Sequence, residues 1–230
     1  MSDGQAPGGT PLLAGRYRIG ARLGSSVDIT LMDAFDERLG RQVVVRLVHP
    51  DLSGMANVQQ QFKELLLAVE SVQHPNLPLL YDFGRAPWNG RVVLYTVGER
   101  LTGGSLRDLI DRGRALSPSQ VVVLGIEACK ALDALHRRGL VHGDVRPGTL
   151  VFGADSRVRV TDAGLAAILE HLKSDSIDDR RIVDVLDVDR DRLKQVVINL
   201  LSNAVKFVPS VAGLIKLSLG KKKHVLLTFS

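Results

Sequence analysis

Short runs of apolar residues, separated by glycine-rich and polar turns, dominate the first hundred positions and predict β-strands. One of them, Val43-Val-Val-Arg-Leu-Val48, is almost continuously apolar. A single stretch, from about Asn57 to Val72, has apolar side chains three or four positions apart and predicts a helix. Pro75 ends it, because proline disfavours helical geometry in the residue before it. The five predicted strands cover residues 16–23, 29–35, 41–48, 77–83 and 91–97, with a turn at 86–90.

The pattern becomes helical after a glycine-containing connector that follows the fifth strand. A short helix is predicted from Ser105 to Ile110. A longer helix begins after Ser117, an N-cap residue that is followed by Pro118, and ends before Gly139. The fold class is therefore α+β, a small antiparallel sheet lobe followed by a helical lobe. Short strands complete the helical lobe at residues 140–141, 149–152 and 158–161.

Composition narrows the class of protein. Hydrophobic residues make up 45% of the chain and charged residues 24%, which is typical of a globular domain and excludes a disordered chain. The single cysteine, Cys129, excludes a disulfide framework and fits a reducing cytoplasm. Aromatic residues at 4% argue against a base-stacking surface, and no apolar run approaches the roughly 20 residues that span a bilayer. We therefore expect a cytoplasmic protein without a nucleic-acid partner or membrane span, with residues 1–11 as a flexible leader.

Two motifs in the helical part carry candidate chemistry. The first reads His142-Gly-Asp-Val-Arg-Pro-Gly-Thr-Leu150, and the second reads Thr161-Asp-Ala-Gly164. Because both occur in this order and at this separation, the region from about residue 12 to 172 resembles a bacterial serine/threonine protein kinase. The resemblance implies a kinase-like N-lobe and hinge over residues 12–104 and part of a kinase-like C-lobe over 105–172. It also implies ATP and Mg2+ as cofactors.

The resemblance assigns phosphoryl-transfer chemistry to these two motifs. Asp144 takes the place of the catalytic-loop aspartate, which orients the substrate hydroxyl and accepts its proton. Arg146 stands where the family has a lysine. Asp162 begins Asp-Ala-Gly, which matches the family's Asp-Phe-Gly, and would hold Mg2+ against the phosphates. The alternative, from the residues alone, is that each aspartate is a loop carboxylate that caps nearby backbone amides.

Most of the family's nucleotide contacts are altered. Of the glycine-rich loop, whose backbone approaches the phosphates, only Gly24 remains. Arg46 replaces the strand lysine that pairs with the phosphates, and a guanidinium is not interchangeable with an ammonium group. Arg46 is alternatively a solvated strand residue. Glu99 and Leu101, in the connector, are the remaining nucleotide contacts that the resemblance implies.

Three further positions depart from the family pattern. Leu65 stands where a helix glutamate should fix the strand cation, and Glu64 lies about 100° away around the helix. Thr149 replaces the asparagine that is the second magnesium ligand, and Val44 replaces a small residue beside the adenine. Together these changes predict a pseudokinase that acts in signalling by binding a nucleotide or a protein partner. The alternative is a weakly active ATP-dependent serine/threonine protein kinase.

A second resemblance begins near residue 184, after a predicted linker at 173–183. The run Asn199-Leu-Leu-Ser-Asn-Ala-Val-Lys-Phe207 belongs to an amphipathic helix pattern, and it is similar to the asparagine-rich helix of histidine-kinase-type ATPase domains. This resemblance implies Asn203 as an Mg2+ ligand, with Asn199 and Lys206 near the phosphates. The alternative is a helix whose asparagine side chains are merely solvated.

The rest of this region, up to residue 230, predicts a β-hairpin. Two partial resemblances in tandem leave a further alternative, a sensor histidine kinase ATP-binding fragment or a fusion without a function of its own. We also expect the C-terminal helix and hairpin to cover apolar surface left bare where the kinase-like C-lobe stops, because the helices that start near Ser117 and Asp189 both have apolar faces.

Overall fold

The structure is a computed structural model that describes residues 12–26, 28–53, 56–165, 189 and 191–197, together with two backbone strands at 213–218 and 224–229. It divides into two compact units. The first consists of the described residues up to 70 together with 79–100, and the second of residues 71–78 and the described residues from 101 onward. No helix in these described ranges is both long and apolar enough to cross a membrane.

A six-stranded antiparallel sheet forms the first unit, with the strands in the order β1-β2-β3-β4-β6-β5. All five predicted strands are present. The sixth, β1, is only two residues long and escaped prediction because it is an edge pairing of Leu13 with Tyr17. The strands are β1 (Leu12–Leu13), β2 (Tyr17–Ser25), β3 (Ile29–Asp36), β4 (Arg41–Val48), β5 (Leu80–Trp88) and β6 (Arg91–Glu99).

The position of β5 differs from the predicted strand at residues 77–83. Leu77 instead belongs to a turn, in which its N–H donates to the carbonyl of His74 at 3.0 Å. The predicted turn at 86–90 shrinks to Asn89 and Gly90, whose φ angles are 50° and 75°. Positive φ at both central residues is typical of a tight hairpin turn, and it lets the strands continue to its edge.

The first unit has two helices, α1 (Pro50–Ser53) and α2 (Ala56–Glu70). The predicted apolar face of α2 is confirmed at Phe62 and Leu66, which are buried, whereas Leu65 is half-buried. In the sheet, the apolar run of β4 is buried at Val43, Val44 and Val45, because this strand lies between two others.

The second unit contains α3 (Leu106–Asp111) and α4 (Pro118–His136). Ser117 is the N-cap of α4 as predicted, and Ser105, predicted as the first residue of a helix, is the N-cap of α3. Ser105 and Ser117 each form a reciprocal capping box with the residue three positions later. The predicted strand at 140–141 is not formed. Two strand pairs and a helix, α5, complete the described part of this unit: β7 (Leu150–Phe152) with β8 (Val158–Val160), α5 (residues 191–197), and β9 (Gly213–Ser218) with β10 (His224–Phe229).

The core of the second unit joins α4 to α5. Buried residues of α4, including Leu124 and Ala128, form one apolar cluster with Leu193, Val196 and Val197. At Gly125, an added β-carbon would lie 3.4 Å from Cγ2 of Val197, so the two helices approach closely. The expected covering of apolar surface by the C-terminal helix is therefore confirmed for α5, and the same expectation for the hairpin stays a prediction.

Candidate active site

The loop that follows α4 is organised around a buried histidine. The side chain of His142 is fully buried; its Nε2 lies 2.7 Å from the carbonyl of Thr161, and its Nδ1 lies 3.2 Å from the amide of Asp144. Because an amide can only donate, Nδ1 accepts and Nε2 carries the proton. Burial lowers the pKa of His142, which favours this neutral tautomer. His142 thus ties Asp144 to the residue that precedes Asp162.

Asp144 is bracketed by two arginines. Its Oδ2 accepts a hydrogen bond from Nε of Arg146 at 2.7 Å, and its Oδ1 lies 3.5 Å from Nη1 of Arg192. The carboxylate is 29% exposed, so it remains accessible to a reacting group. Its side-chain hydrogen bond goes to a guanidinium rather than to a backbone amide, unlike that of a capping carboxylate. A half-exposed carboxylate between cations suits a group that orients and accepts from a hydroxyl.

The hydroxyl of Thr149 is hydrogen-bonded to backbone groups of the same loop. Thr149 is 0% exposed, and its Oγ1 accepts from the amide of Arg146 at 3.1 Å. The same oxygen lies 2.9 Å from the carbonyl of Asp144 and 3.0 Å from that of Arg146, between which it shares its one proton. A buried hydroxyl engaged in this way does not face a bound metal ion.

Asp162 adopts an unusual backbone conformation. Its φ is 68°, in the left-handed region that non-glycine residues seldom occupy, and the residue is half-buried. The hydroxyl of Thr161 lies 3.3 Å from Oδ2 of Asp162, and the amide of Leu165 donates to the carbonyl of Asp162 at 3.2 Å. Strained backbone that neighbours hold in place often marks functional positions. The role of Asp162 as a magnesium ligand stays a prediction from the family resemblance.

The described side chains of the second unit are poorly suited to a second magnesium ion. Among the residues that the structure describes, no three His, Cys, Asp or Glu side chains form a group that could hold a metal. The position that should contribute a second ligand is Thr149, and its hydroxyl is bonded inside the loop. Among the described side chains, position 149 therefore offers no ligand for a second ion.

In the first unit, the predicted phosphate-binding residues lie on β2 and β4, which flank β3 in the sheet. Gly24 is opposite Leu31 at a register shift in β2, and a β-carbon added to Gly24 would meet no atom of the described chain within 4 Å. Arg46 is half-buried in the middle of β4, where it pairs with Leu31 and Thr96. The fold does not itself demand a glycine at position 24, whereas Arg46 occupies an enclosed place in the sheet.

Sequence analysis missed Gly98, which makes room for Arg46. A β-carbon at Gly98 would lie 3.8 Å from Nη1 of Arg46 and 3.1 Å from the carbonyl of Leu79. A β-carbon here would therefore crowd the backbone of Leu79, which directly precedes β5, and would be in ordinary van der Waals contact with the guanidinium. The available signal was a glycine inside an apolar strand, which often marks a close approach.

The structure also locates the residues that the sequence singled out on α2 and in the connector. Glu64 is exposed and accepts a hydrogen bond from the side-chain amide (Nε2) of Gln60 at 2.5 Å, so its carboxylate lies on the outer face of α2. Glu99 accepts from the amide of Leu79 at 3.2 Å and closes the end of the β5–β6 pair. Leu101 is buried in the second unit. The carboxylate of Glu99 thus stabilises the end of this strand pair.

The protein-family model described as "Protein kinase domain" matches residues 17–183, which is most of the chain. This chain belongs to the protein kinase family. A probable serine/threonine-protein kinase of Streptomyces coelicolor is 34% identical over 154 residues, 67% of this chain and 23% of the relative. A probable serine/threonine-protein kinase of Corynebacterium efficiens is 32% identical over 161 residues, 70% of this chain and 24% of the relative. Serine/threonine-protein kinase PknB of Mycobacterium leprae is 31% identical over 156 residues, 68% of this chain and 25% of the relative.

The chain thus spans about a quarter of the length of the curated relatives that it matches. Besides Arg146, which stands where the family has a lysine, the catalytic loop departs from the kinase pattern at two places. Gly143 stands where the family's His-Arg-Asp motif has arginine, and Thr149 stands where it has asparagine. Gly143 has a φ of 80°, which glycine adopts without strain.

A second residue that sequence analysis missed is Asp189, which anchors the catalytic loop. It is 0% exposed and accepts hydrogen bonds from the amides of His142 and Gly143, both at 2.7 Å, and from Nε2 of His136 at 3.1 Å. Burial raises the pKa of Asp189, but these hydrogen bonds outweigh burial and hold the pKa below its ordinary value. No local pattern could identify this role, since its partners lie 46 to 53 positions earlier.

The residues that the histidine-kinase resemblance singled out are Asn199, Asn203 and Lys206. All three lie outside the described residues. Their roles, and the resemblance itself, stay predictions. The predicted β-hairpin is confirmed at the level of the backbone, where β9 and β10 pair from Gly213 with Phe229 to Ser218 with His224.

Proposed function

We propose that this chain is a pseudokinase, a protein-kinase-like module that binds ATP with at most one Mg2+ ion and acts in signalling through nucleotide and partner binding. The observation that carries the proposal is the position of Thr149. Its hydroxyl is buried and bonded to the loop backbone, where the family has a metal-binding asparagine. Phosphoryl transfer by this chain is then slow or absent.

The chemical reason is the distribution of charge in the transition state. Kinases accelerate phosphoryl transfer mainly by positioning the reactants and by compensating charge on the phosphates. A magnesium ion bound at Asp162 would neutralise part of that charge. With Thr149 bonded within the loop, a second ion lacks its asparagine ligand, and each kcal/mol of lost stabilisation slows transfer about fivefold.

The nucleotide-binding sheet supports the same proposal. Arg46 replaces a lysine at the phosphate-contacting position, and its guanidinium is larger and planar. Leu65 occupies the place of the glutamate that should fix this cation, and Glu64 is exposed and bonded to Gln60. These changes weaken phosphate binding without unfolding the sheet.

A weakly active serine/threonine protein kinase is the second candidate function. It is favoured by Asp144, which is half-exposed and held by Arg146 in the catalytic loop. The relatives carry the name serine/threonine-protein kinase. In this case Asp144 would accept the proton of a substrate hydroxyl.

A fluorescent ATP analogue titrated with and without Mg2+ tests the proposal. We expect Mg2+-dependent binding in wild type, loss of the Mg2+ dependence in Asp162→Ala, and no change in Asn203→Ala. Loss of binding in Asn203→Ala alone would instead support the histidine-kinase alternative. Transfer of radioactive phosphate to itself or to a generic protein substrate is expected to stay near background. Robust transfer that disappears in Asp144→Asn would replace the pseudokinase by the second candidate.

A further inference from the structure

The backbone N–H and the backbone carbonyl of Gly143 are each hydrogen-bonded to a side chain near the start of α5. Oδ1 of Asp189 accepts from the amide of Gly143 at 2.7 Å, and Nη1 of Arg192 donates to its carbonyl at 2.5 Å. Residues three positions apart face the same side of a helical turn, so Asp189 and Arg192 approach the loop together. The acidic member of this pair binds the donor, and the basic member binds the acceptor.

Arg192 also reaches the carboxylate of Asp144. Its Nη1 lies 3.5 Å from Oδ1 of Asp144, while Nε of Arg146 lies 2.7 Å from Oδ2. Each carboxylate oxygen therefore has its own guanidinium. The catalytic loop has Gly143 where the family motif has arginine, so the loop has lost a cation of its own. The cation near Gly143 comes instead from α5.

The position of Arg192 is fixed by the packing of its neighbour. Leu193 is 1% exposed and belongs to the apolar cluster of the second unit, so the start of α5 cannot turn freely. A guanidinium has several N–H groups in a rigid fork and can contact a carbonyl and a carboxylate together. Lys194, by contrast, pairs with Asp191 at 2.9 Å on its own segment.

We propose that Arg192 is a positioning residue for Asp144. It contacts the carboxylate oxygen that Arg146 does not bind and donates to the carbonyl of Gly143, so that Asp144 keeps one orientation toward whatever binds at the loop. The proposal rests on the proposed function only in assuming that Asp144 faces the nucleotide or substrate. Nothing in the local sequence around Asp144 predicts it, since Arg192 lies 48 positions later.

Carbon-13 NMR of the full chain tests the contact without requiring activity. In Arg192→Gln, we expect the carbonyl resonance of Gly143 and the carboxylate resonance of Asp144 to shift. Lys194→Gln is the matched control, because it removes the same charge from α5, and both resonances should stay in place. Unchanged resonances in Arg192→Gln, or equal shifts in both variants, would overturn the proposal.

Single-turnover phosphoryl transfer tests the positioning role. Arg192→Gln should lower kcat about tenfold with KM for ATP unchanged, because misorienting a reacting group costs rate rather than binding. Arg192→Lys should recover part of the rate, and Lys194→Gln should match wild type. In an Asp144→Asn background, Arg192→Gln should have no further effect.

A rise in kcat for Arg192→Gln, or an equal loss in the Asp144→Asn background, would contradict positioning through Asp144. If wild type itself transfers no phosphate, the second candidate function fails. The carbon-13 comparison then decides the role of Arg192 by itself, so failure of the two proposals can be told apart.

Discussion

The two units of this kinase differ in what their site residues are bonded to. In the second unit, His142 and Thr149 are bonded to the chain itself, and substitution there would disrupt folding. In the first unit, a side chain at Gly24 would meet no described atom, so a change there costs little folding free energy. The comparison indicates which positions the fold itself constrains: residues bonded inside the catalytic loop are held by the chain, whereas the fold places no steric demand on position 24.

The largest expected effect on this comparison comes from Asp189. Asp189→Ala leaves the buried amides of His142 and Gly143 without an acceptor, and we expect it to lower the free energy of unfolding by about 3–5 kcal/mol. Urea denaturation measures the loss. Asp191→Ala is the control, because Asp191 is exposed and pairs with Lys194, and it should cost less than about 1 kcal/mol. Equal losses in the two variants would contradict the anchoring role.

Thr149→Val should have the next largest effect. Valine keeps the shape of threonine but removes the hydroxyl bonds inside the loop, so we expect a loss of about 1–3 kcal/mol in the free energy of unfolding. The Mg2+ dependence of nucleotide binding should remain that of wild type, because this hydroxyl does not face the metal. Asp162→Ala provides the comparison, and a loss of Mg2+ dependence as large in Thr149→Val would break the pseudokinase proposal.

Acid should weaken the second unit in a defined order. Burial holds the folded-state pKa of His142 below its ordinary value. The contribution of neutral His142 to the free energy of unfolding is therefore fully present above about pH 6.5 and falls as the pH drops toward the folded-state pKa. The pKa of Asp189 is also depressed, so its contribution is lost only at pH values below those of an ordinary carboxylate. Melting temperatures between pH 7.5 and 3, with NMR titration of His142, check this order. Protonation of His142 near pH 6.5 without loss of stability would be inconsistent with it.

The smallest effect is expected at Gly24. Gly24→Ala should change the free energy of unfolding by less than about 0.5 kcal/mol, because the added methyl group enters open space. Gly98→Ala is the matched substitution on the same sheet and should cost more, since its methyl group would lie 3.1 Å from the carbonyl of Leu79. Thermal unfolding compares the two. Equal stability of the two variants would contradict the distinction between Gly24, which has open space beside it, and Gly98, which lies against the backbone of Leu79.

Local patterns predicted the parts of the fold that local physics determines. The strands of the first unit follow from their apolar runs, and α4 follows from the Ser117 cap and its apolar face. Prediction failed where a distant segment decides. Leu77 has the composition of a strand residue, but it packs in the apolar cluster of the second unit, and its amide closes a turn with His74. The predicted strand at 140–141 has no partner strand among the described residues.

The candidate site was likewise predictable only where its residues are continuous in the sequence. The motifs around Asp144 and Asp162 are continuous in sequence, so the resemblance could locate them. Asp189 and Arg192 are close to these motifs only in space, and their spacing in the sequence gives no indication of it. The sequence also could not reveal that the Thr149 hydroxyl is internal, because that depends on how the loop turns back on itself.

The separation between Asp189 and the loop it anchors also bears on the order of folding. The bonds to His142 and Gly143 span 47 and 46 positions, and contacts between distant positions form late because they close a large loop. During synthesis, the catalytic motif leaves the ribosome well before its anchor does. A nascent chain that has reached residue 165 already contains Asp144 and Asp162, yet it lacks the acceptor that fixes the loop between α4 and β7. The catalytic loop therefore acquires its final hydrogen bonds only after residue 189 has been synthesised.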